Sequence, residues 1–410
     1  MTIPWLARAS AGALLWLLAD LSAAQTLIVS SLDDSGTGTL RDRIEAANAN
    51  PGANVIEFEE GLNGTITLQS ALPAIVENLE ILGPGANLIT ISGDQAHRVF
   101  LITQDAQVTL SALKISEGRA QATDPVNGGF SPGLGGGIWN LGSLVLIDSL
   151  VTDCVADDGG GGIANEGEVL VMRSAINNNI ADPGAFATGG GIDNFAGVVS
   201  LVESTVSGNT SDSGGGITNS AFDDQGALLT ITNSTISGNS AGFLGGGIDN
   251  FEGLVEMVNV TIVGNSIPAQ ETDQDGGGIF SDGTATIKHT IIAENSGSDC
   301  GNGGGAINVT GLSLDADGSC AGFSTVSSAE LALGALASNG GPTQTHALGA
   351  DSVALNAVSD CTMLDGSTAL ANDQRGVPRP QGSACDVGAF ERELDGDPDD
   401  AIFADRFQGL

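Results

Sequence analysis

Tyrosine is absent from the 410 residues, and aromatic residues of every kind make up only 4%. Mechanisms that use a tyrosine hydroxyl as acid, base or nucleophile are therefore excluded. Basic residues are scarce too: 12 Lys and Arg stand against 50 Asp and Glu, for a net charge of −38. Such a surface repels phosphate backbones and anionic lipid headgroups, so nucleic acid and membrane surfaces are excluded as partners. The three histidines, His97, His289 and His346, lie far apart and support neither a catalytic triad motif nor a metal-ligand spacing. After the first 24 residues no apolar run is long enough to span a bilayer as a helix.

Glycine is what the chain has in excess, with 61 residues, about double the usual ~7% share. It does not recur every third residue, which excludes collagen, and a hydrophobic content of 41% argues against disorder. Residues 1–24 read as a signal peptide. Arg8 precedes an apolar stretch from Ala11 to Leu21, and Ser22-Ala23-Ala24 supplies small residues before Gln25. Export permits disulfides. Of five cysteines, Cys300 and Cys320 stand 20 residues apart and Cys361 and Cys385 stand 24 apart. Pairing within each couple closes a loop worth about 3 kcal/mol, whereas no CxxC pair or nearby His offers zinc spacing. Cys154 is left over.

A Gly-Gly-Gly-Ile-x-Asn element organises the middle of the chain. Copies begin at Gly135, Gly160, Gly189, Gly214 and Gly245, with weaker ones at Gly276 and Gly303, at intervals of 25, 29, 25, 31, 31 and 27 residues. Between copies runs a second element, as in VSLVESTVSGN and LTITNSTISGN. It alternates aliphatic and polar residues with period two and ends in a turn at Asn. A repeat of this length cannot bury its own apolar face, but stacked copies can, which predicts a β-solenoid with Val199, Leu201 and Ile231 inward. The terminal Asn179, Asn209, Asn239, Asn265 and Asn295 then stack at about 4.8 Å and hydrogen-bond along the stack. Cys154 takes the Asn slot of the first copy, as a buried structural residue. Upstream, strands are expected at 55–58, 65–68, 79–82, 88–92, 99–102 and 108–113. An amphipathic helix over Thr39–Asn50, opened by Thr39 and stopped by Pro51, is the expected cap.

These residues carry a resemblance. The stretch from Thr26 to Gly93, TLIVSSLDDSGTGTLRDRIEAANANPGANVIEFEEGLNGTITLQ through GPGANLITISG, resembles the N-terminal part of secreted bacterial right-handed parallel β-helix proteins of the CSLREA type. Gly38 and Thr39 stand where those proteins often carry Cys-Ser. The GGGI and SGN elements are similar to the repeats of polymorphic outer-membrane proteins. Leu333–Glu391, with LGALASNGGPTQTHALGADSVALNA and NDQRGVPRPQGSACDVGAFE, resembles the choice-of-anchor Q module. The resemblance implies a pectin-lyase-like solenoid, secreted or at the cell surface in association with the outer membrane, and carries no catalytic residues onto this chain. The acidic run Asp395–Asp400 followed by IFADRF resembles a short C-terminal tail of exported proteins.

Several chemistries remain open on the residues. Uronate lyases need clustered basic groups, yet residues 51–340 hold only Arg98, Lys114, Arg119, Arg173 and Lys288, scattered over the repeats. Hydrolysis needs two carboxylates. Asp193 and Asp249 share one slot of GGGIDN two coils apart, which is about 9.6 Å, although two exposed turn residues would look the same. Calcium could lie among Asp157, Asp158, Asp212, Asp223, Asp224, Asp273 and Asp275 in the turns, or those turns are simply solvated. Trp139, Phe195 and Phe251 follow the glycine element; exposed rings there would stack on sugar faces, or the rings simply fill the solenoid corner.

The expectation is an exported, monomeric, all-β right-handed parallel β-helix of about ten coils. It divides into a leader (1–24), an N-terminal strand and capping helix (25–53), the repeats (54–332), a disulfide-bearing module (333–391) and an acidic tail (392–410). The expected function is a non-catalytic surface scaffold that binds a polysaccharide or another cell-surface ligand. The alternative is a polysaccharide-degrading enzyme.

Overall fold

A strand must pair its backbone groups with a neighbour, and here each strand finds the equivalent strand one repeat later, in parallel and in register. The computed structural model describes residues 25–122, 125–126, 129–130, 133–182, 186–221, 226–268 and 276–393. The leader, Asp223, Asp224, Asp273, Asp275 and the Asp395–Asp400 run lie outside the described residues.

Each coil passes three sheets in a fixed order. Sheet C takes the Ile-x-Asn of the glycine element, from Phe100–Ile102 to Cys300–Asn302. Sheet A takes the five-residue alternating strand, from Thr26–Val29 to Ala306–Thr310. Sheet B takes the short strand after it, from Gly64–Thr67 to Ser324–Thr325. A five-stranded sheet D, from Arg119–Ala120 to Ser240–Leu244, leads back towards C. The chain is a right-handed parallel β-helix.

Three-sided coils number about eight, not ten. Sheets A and B hold eleven strands each and sheet C only eight, because the chain's early passes form strands on A and B before sheet C begins at Phe100. The strand expected over 108–113 is Gln107–Ser111, and a separate strand, Lys114–Ser116, follows it. Ala112 turns the corner between them with φ +54°. The same A-to-B corner is made by Asp148, Arg173, Glu203, Asn233, Asn259 and His289, all at positive φ. Serines follow the first four, and each caps the corner below: Ser174 N–H donates to Ser204 Oγ and Ser204 N–H to Ser234 Oγ, at 3.2 and 3.1 Å.

The core is a column of fully buried aliphatic residues. Ile163, Ile192, Ile217 and Ile248 come from sheet C, Leu201, Leu229 and Ile231 from sheet A, and Val206, Ile236 and Ile262 from sheet B. Each such side chain contributes about 1.5–3 kcal/mol by leaving water. Helix α1 (Leu40–Asn48) covers the first coil with Leu40, Ile44 and Ala47, and the Thr39 side chain accepts from Asp42 N–H at 3.3 Å. It ends two residues earlier than expected, with Ala49 as C-cap, so Pro51 stands beyond its end.

The polar counterpart of that column is a ladder of amides at the corner after sheet B. Asn209 Nδ2 donates to Asn239 Oδ1 at 2.9 Å and to the Ile176 carbonyl at 3.0 Å. Its Oδ1 accepts from both Asn179 Nδ2 and Asn179 N–H, at 3.0 and 2.9 Å. Every donor and acceptor of the amide is used. The pattern runs through Asn179, Asn209, Asn239, Asn265 and Asn295 and ends on Asp299 Oδ1 at 2.9 Å. At the other end Cys154 N–H donates to Asn179 Oδ1 at 3.0 Å, while the Cys154 thiol accepts from Gly118 N–H. Burial pushes that thiol up to about 12, which makes it inert as a nucleophile.

Disulfides join Cys300 to Cys320 and Cys361 to Cys385. The second lies in the C-terminal segment, which does not extend the stack but lies along the flank of sheet B. Gln374 is fully buried there. Its Nε2 donates to Thr205 Oγ1 at 2.9 Å and its Oε1 accepts from Thr235 Oγ1 at 2.6 Å, so one side chain spans two coils. Ala389 N–H reaches Thr261 Oγ1 on a third. Inside the segment Arg379 and Glu391 form a buried ion pair at 2.9 Å, and Arg375 lies over the Phe390 ring at 3.7 Å.

Replacing Asn209 and Asn239 by Ala leaves the donors of Asn179 without acceptors in the core, at about 1–3 kcal/mol for each orphaned group. The double variant is expected to melt several degrees below the parent in a calorimetric scan. An unchanged melting temperature would mean that the ladder is not buried.

Candidate functional site

The GGGIxN element fixes one corner of every coil, and the corner fixes what stands beside it. Its first glycine turns the chain at positive φ, +61° at Gly189 and +62° at Gly214. The third lies so close to the ladder that a Cβ on Gly191 would stand 3.0 Å from Asn209 Nδ2. The element's own Asn faces inward and forms a second ladder through Asn140, Asn165, Asn194, Asn219 and Asn250 to Ser281 Oγ, each step 2.7–2.9 Å. This ladder was not foreseen, although its signal was the Asn that ends every strong copy of the element.

Because the second ladder holds the C-to-A corner in register, the next residue of each coil lands in one row along the solenoid. The row reads Leu141, Glu166, Phe195, Ser220, Phe251, Asp282. Phe195 and Phe251 are 44% and 45% exposed and stand two coils apart, about 9.6 Å at the usual strand spacing. Below them the corner opens into a shallow hollow lined by Gln104, Asp105, Gln107, Glu166 and Glu168 together with Leu141. Trp139 does not join the row. It is buried on sheet C with Arg98 4.9 Å above its ring, and its Nε1–H donates to Glu166 Oε1 at 2.9 Å, which pins that carboxylate at the rim. Its expected place among the exposed rings is therefore corrected.

A second aromatic pair was missed. Phe186 and Phe243, 84% and 48% exposed, stack at 6.4 Å just before two glycine elements, Phe243 on the Ser240–Leu244 strand of sheet D. They precede the triple glycine by three and two residues, and that unequal offset hides the pairing from the sequence.

Asp193 and Asp249 lie on the outward face of sheet C with Thr218 between them in register. They are strand residues, not the exposed turn residues that their slot also allowed, and are 7% and 5% accessible. Asp193 Oδ2 accepts from Thr188 Oγ1 at 3.1 Å, and Thr218 Oγ1 donates to the Ser213 carbonyl at the same five-residue offset. Asp249 Oδ1 has no partner among the described residues. Burial pushes both carboxyls up to about 7. The nearby charges of Glu166 and Asp249 add to the shift of Asp193, and that of Asp282 to the shift of Asp249. At this burial neither carboxyl is placed to reach a glycosidic bond.

The turn aspartates are engaged elsewhere. Asp157 pairs with Arg119, and Asp158 accepts from Gly133 N–H at 2.6 Å. Among the described residues no three His, Cys, Asp or Glu side chains come together in a group that could hold a metal ion. His289 and His346 are buried structural residues. Burial and the neighbouring Lys288 lower His289 to about 4, and His346 Nε2 lies 2.9 Å from Ser237 Oγ. No helix among the described residues is long and apolar enough to cross a membrane.

No family model matches the sequence, and no curated protein matches it. Among solved structures the fold is similar to a crystal structure of the pectate lyase Pel9A. The TM-score is 0.53 at 16% identity, over 91% of this chain and 97% of that one. At that identity the likeness is one of fold.

The raised carboxyl of Asp249 has a thermodynamic consequence. A group that binds its proton more tightly when folded stabilises the fold below its unfolded value near 4, and that contribution is lost as pH rises through about 7. Asp249→Asn does not titrate. The variant is expected to melt with the parent near pH 4 and several degrees above it at pH 8. Parallel melting curves at both pH values would show that Asp249 titrates normally.

Proposed function

We propose that this chain is an exported, non-catalytic β-helix scaffold that binds a polysaccharide along its C-to-A corner. The observation that carries the reading is the pair Phe195 and Phe251, nearly half exposed in one slot of a rigid amide-laddered corner. Rings held in this way offer flat apolar faces to the C–H side of sugars and lose little freedom on binding. Their two-coil spacing suits an extended chain lying along the solenoid. The polar hollow at the end of the row supplies acceptors for hydroxyl groups. Disulfides and the N-terminal leader fit an extracellular setting. So do the likenesses of the Thr26–Gly93 stretch and of the C-terminal module to surface-associated β-helix proteins.

The pectate lyase likeness raises the enzymatic alternative, and the side chains do not favour it. An eliminating enzyme gathers cations around a uronate. Here Arg119 is paired with Asp157, Arg173 with Asp148 and Lys288 with Asp360, while Arg98 is buried over Trp139. The two aspartates with hydrolase-like spacing are covered.

The test is a polysaccharide panel read for retained protein and for new reducing or unsaturated ends. Binding without product is expected. Phe195→Ala and Phe251→Ala should each weaken it roughly fivefold, the equivalent of about 1 kcal/mol. Product release would replace this reading by a hydrolytic or eliminating one and direct attention to Asp193 and Asp249.

A further inference from the structure

The corner that carries the two exposed rings also has a consistent charge, and together they specify a class of ligand. We infer that the C-to-A corner binds a glycan with free amino groups, a polymer of glucosamine type. The inference rests on the polysaccharide-binding reading above and narrows it.

The row sets two rings between two carboxylates. Glu166 precedes Phe195 and Asp282 follows Phe251, with Glu252 beside Phe251 along the chain and Asp105 and Glu168 in the hollow at one end. The fold holds the two carboxylates of the row. Trp139 Nε1–H holds Glu166, and the Asp282 carboxylate accepts from Glu252 N–H at 2.6 Å. No basic side chain lines the hollow. Of the five basic residues of the repeats, Arg98 lies over Trp139, Arg119, Arg173 and Lys288 pair with aspartates, and Lys114 lies on sheet B, away from this corner. The hollow therefore offers acceptors, not cations. A uronate chain would bring its negative charges against this row and against a net charge of −38. A neutral chain gains only the rings. A chain of amino sugars gains the rings and the carboxylates together, and the field of the whole molecule steers it in. Ammonium groups along an extended glycan meet carboxylates repeated along the axis, whereas the rings between them select a sugar over a bare polycation.

The experiment compares three oligosaccharides of equal length on the full chain: deacetylated chito-oligosaccharide, its N-acetylated counterpart and an oligouronate. Binding is read by calorimetry near pH 5.5, where surface carboxylates are ionised, with polylysine as a fourth ligand. The deacetylated chain is expected to bind about tenfold more tightly than the acetylated one at low salt and to lose most of that advantage in molar-range salt. The pair Glu166→Gln with Asp282→Asn should collapse the preference, and Phe195→Ala should weaken the amino-sugar chain but not polylysine. Equal affinity for the acetylated and deacetylated chains, with Phe195→Ala weakening both, overturns this inference and leaves the polysaccharide reading standing. Tighter binding of polylysine than of the amino-sugar chain, insensitive to Phe195, overturns the inference as well. If no oligosaccharide binds, both readings fall.

Discussion

An amide side chain that accepts from the coil before and donates to the coil after can be repeated along a stack without leaving any atom unpaired. Two columns of this kind set the spacing and register of the solenoid, one at the corner after sheet B and one at the corner before sheet A. An aliphatic core alone would tolerate sliding of one coil over the next, because dispersion contacts have little directionality. A buried Asn does not. Displaced by one residue, it would leave two donors and an oxygen unsatisfied in the interior. The outer surface inherits that precision: Phe195 and Phe251 stand above one another because Asn194 and Asn250 do.

The ends of each ladder show the same constraint. A repeating donor-acceptor column has a free face at either end, and three of the four ends are closed by a residue of different chemistry, while Asn140 Oδ1 at the start of the second ladder has no partner among the described residues. Cys154 and Asp299 close one ladder, and Ser281 closes the far end of the other. The acidic composition is arranged around these columns as well. Carboxylates that must be buried are either held by donors, as Asp299 is, or pushed towards their neutral form, as Asp193 and Asp249 are. Others lie on turns, as Asp148 and Asp153 do, or on the outer face of sheet A, as Glu57 and Glu80 do.

Much of the architecture was readable because it repeats. Alternation in VSLVESTVSGN declared which residues face inward, and the terminal Asn of that element declared a column. The number of coils was less readable, because early passes on sheets A and B carry no glycine element and leave no count in the sequence. The corner residue Ala112 sits at positive φ without the usual glycine or asparagine, so the strand that stops at Ser111 was expected to run on to 113. At the candidate site the slot alone left open whether Phe195 and Phe251 are exposed or fill the corner, and Trp139, two positions earlier in its element, lies under Arg98. Only the structure shows what covers each side chain. The Phe186–Phe243 stack joins residues 57 positions apart at unequal offsets from their repeats, which no periodic reading detects.

The lateral attachment of the C-terminal segment bears on how this protein can change length over evolutionary time. Solenoids grow and shrink by duplication or loss of a whole coil, since every coil presents the same two faces to its neighbours. Here Gln374 and Ala389 are matched to Thr205, Thr235 and Thr261 on three consecutive coils. A coil inserted among them would pull those partners out of reach, whereas one inserted between Asn140 and Asn179 would find both ladders ready to continue. Lineages descended from this sequence should therefore differ in the number of coils ahead of Thr205 and keep a constant number under the segment. The fastener at one end makes the other end the place where innovation is tolerated.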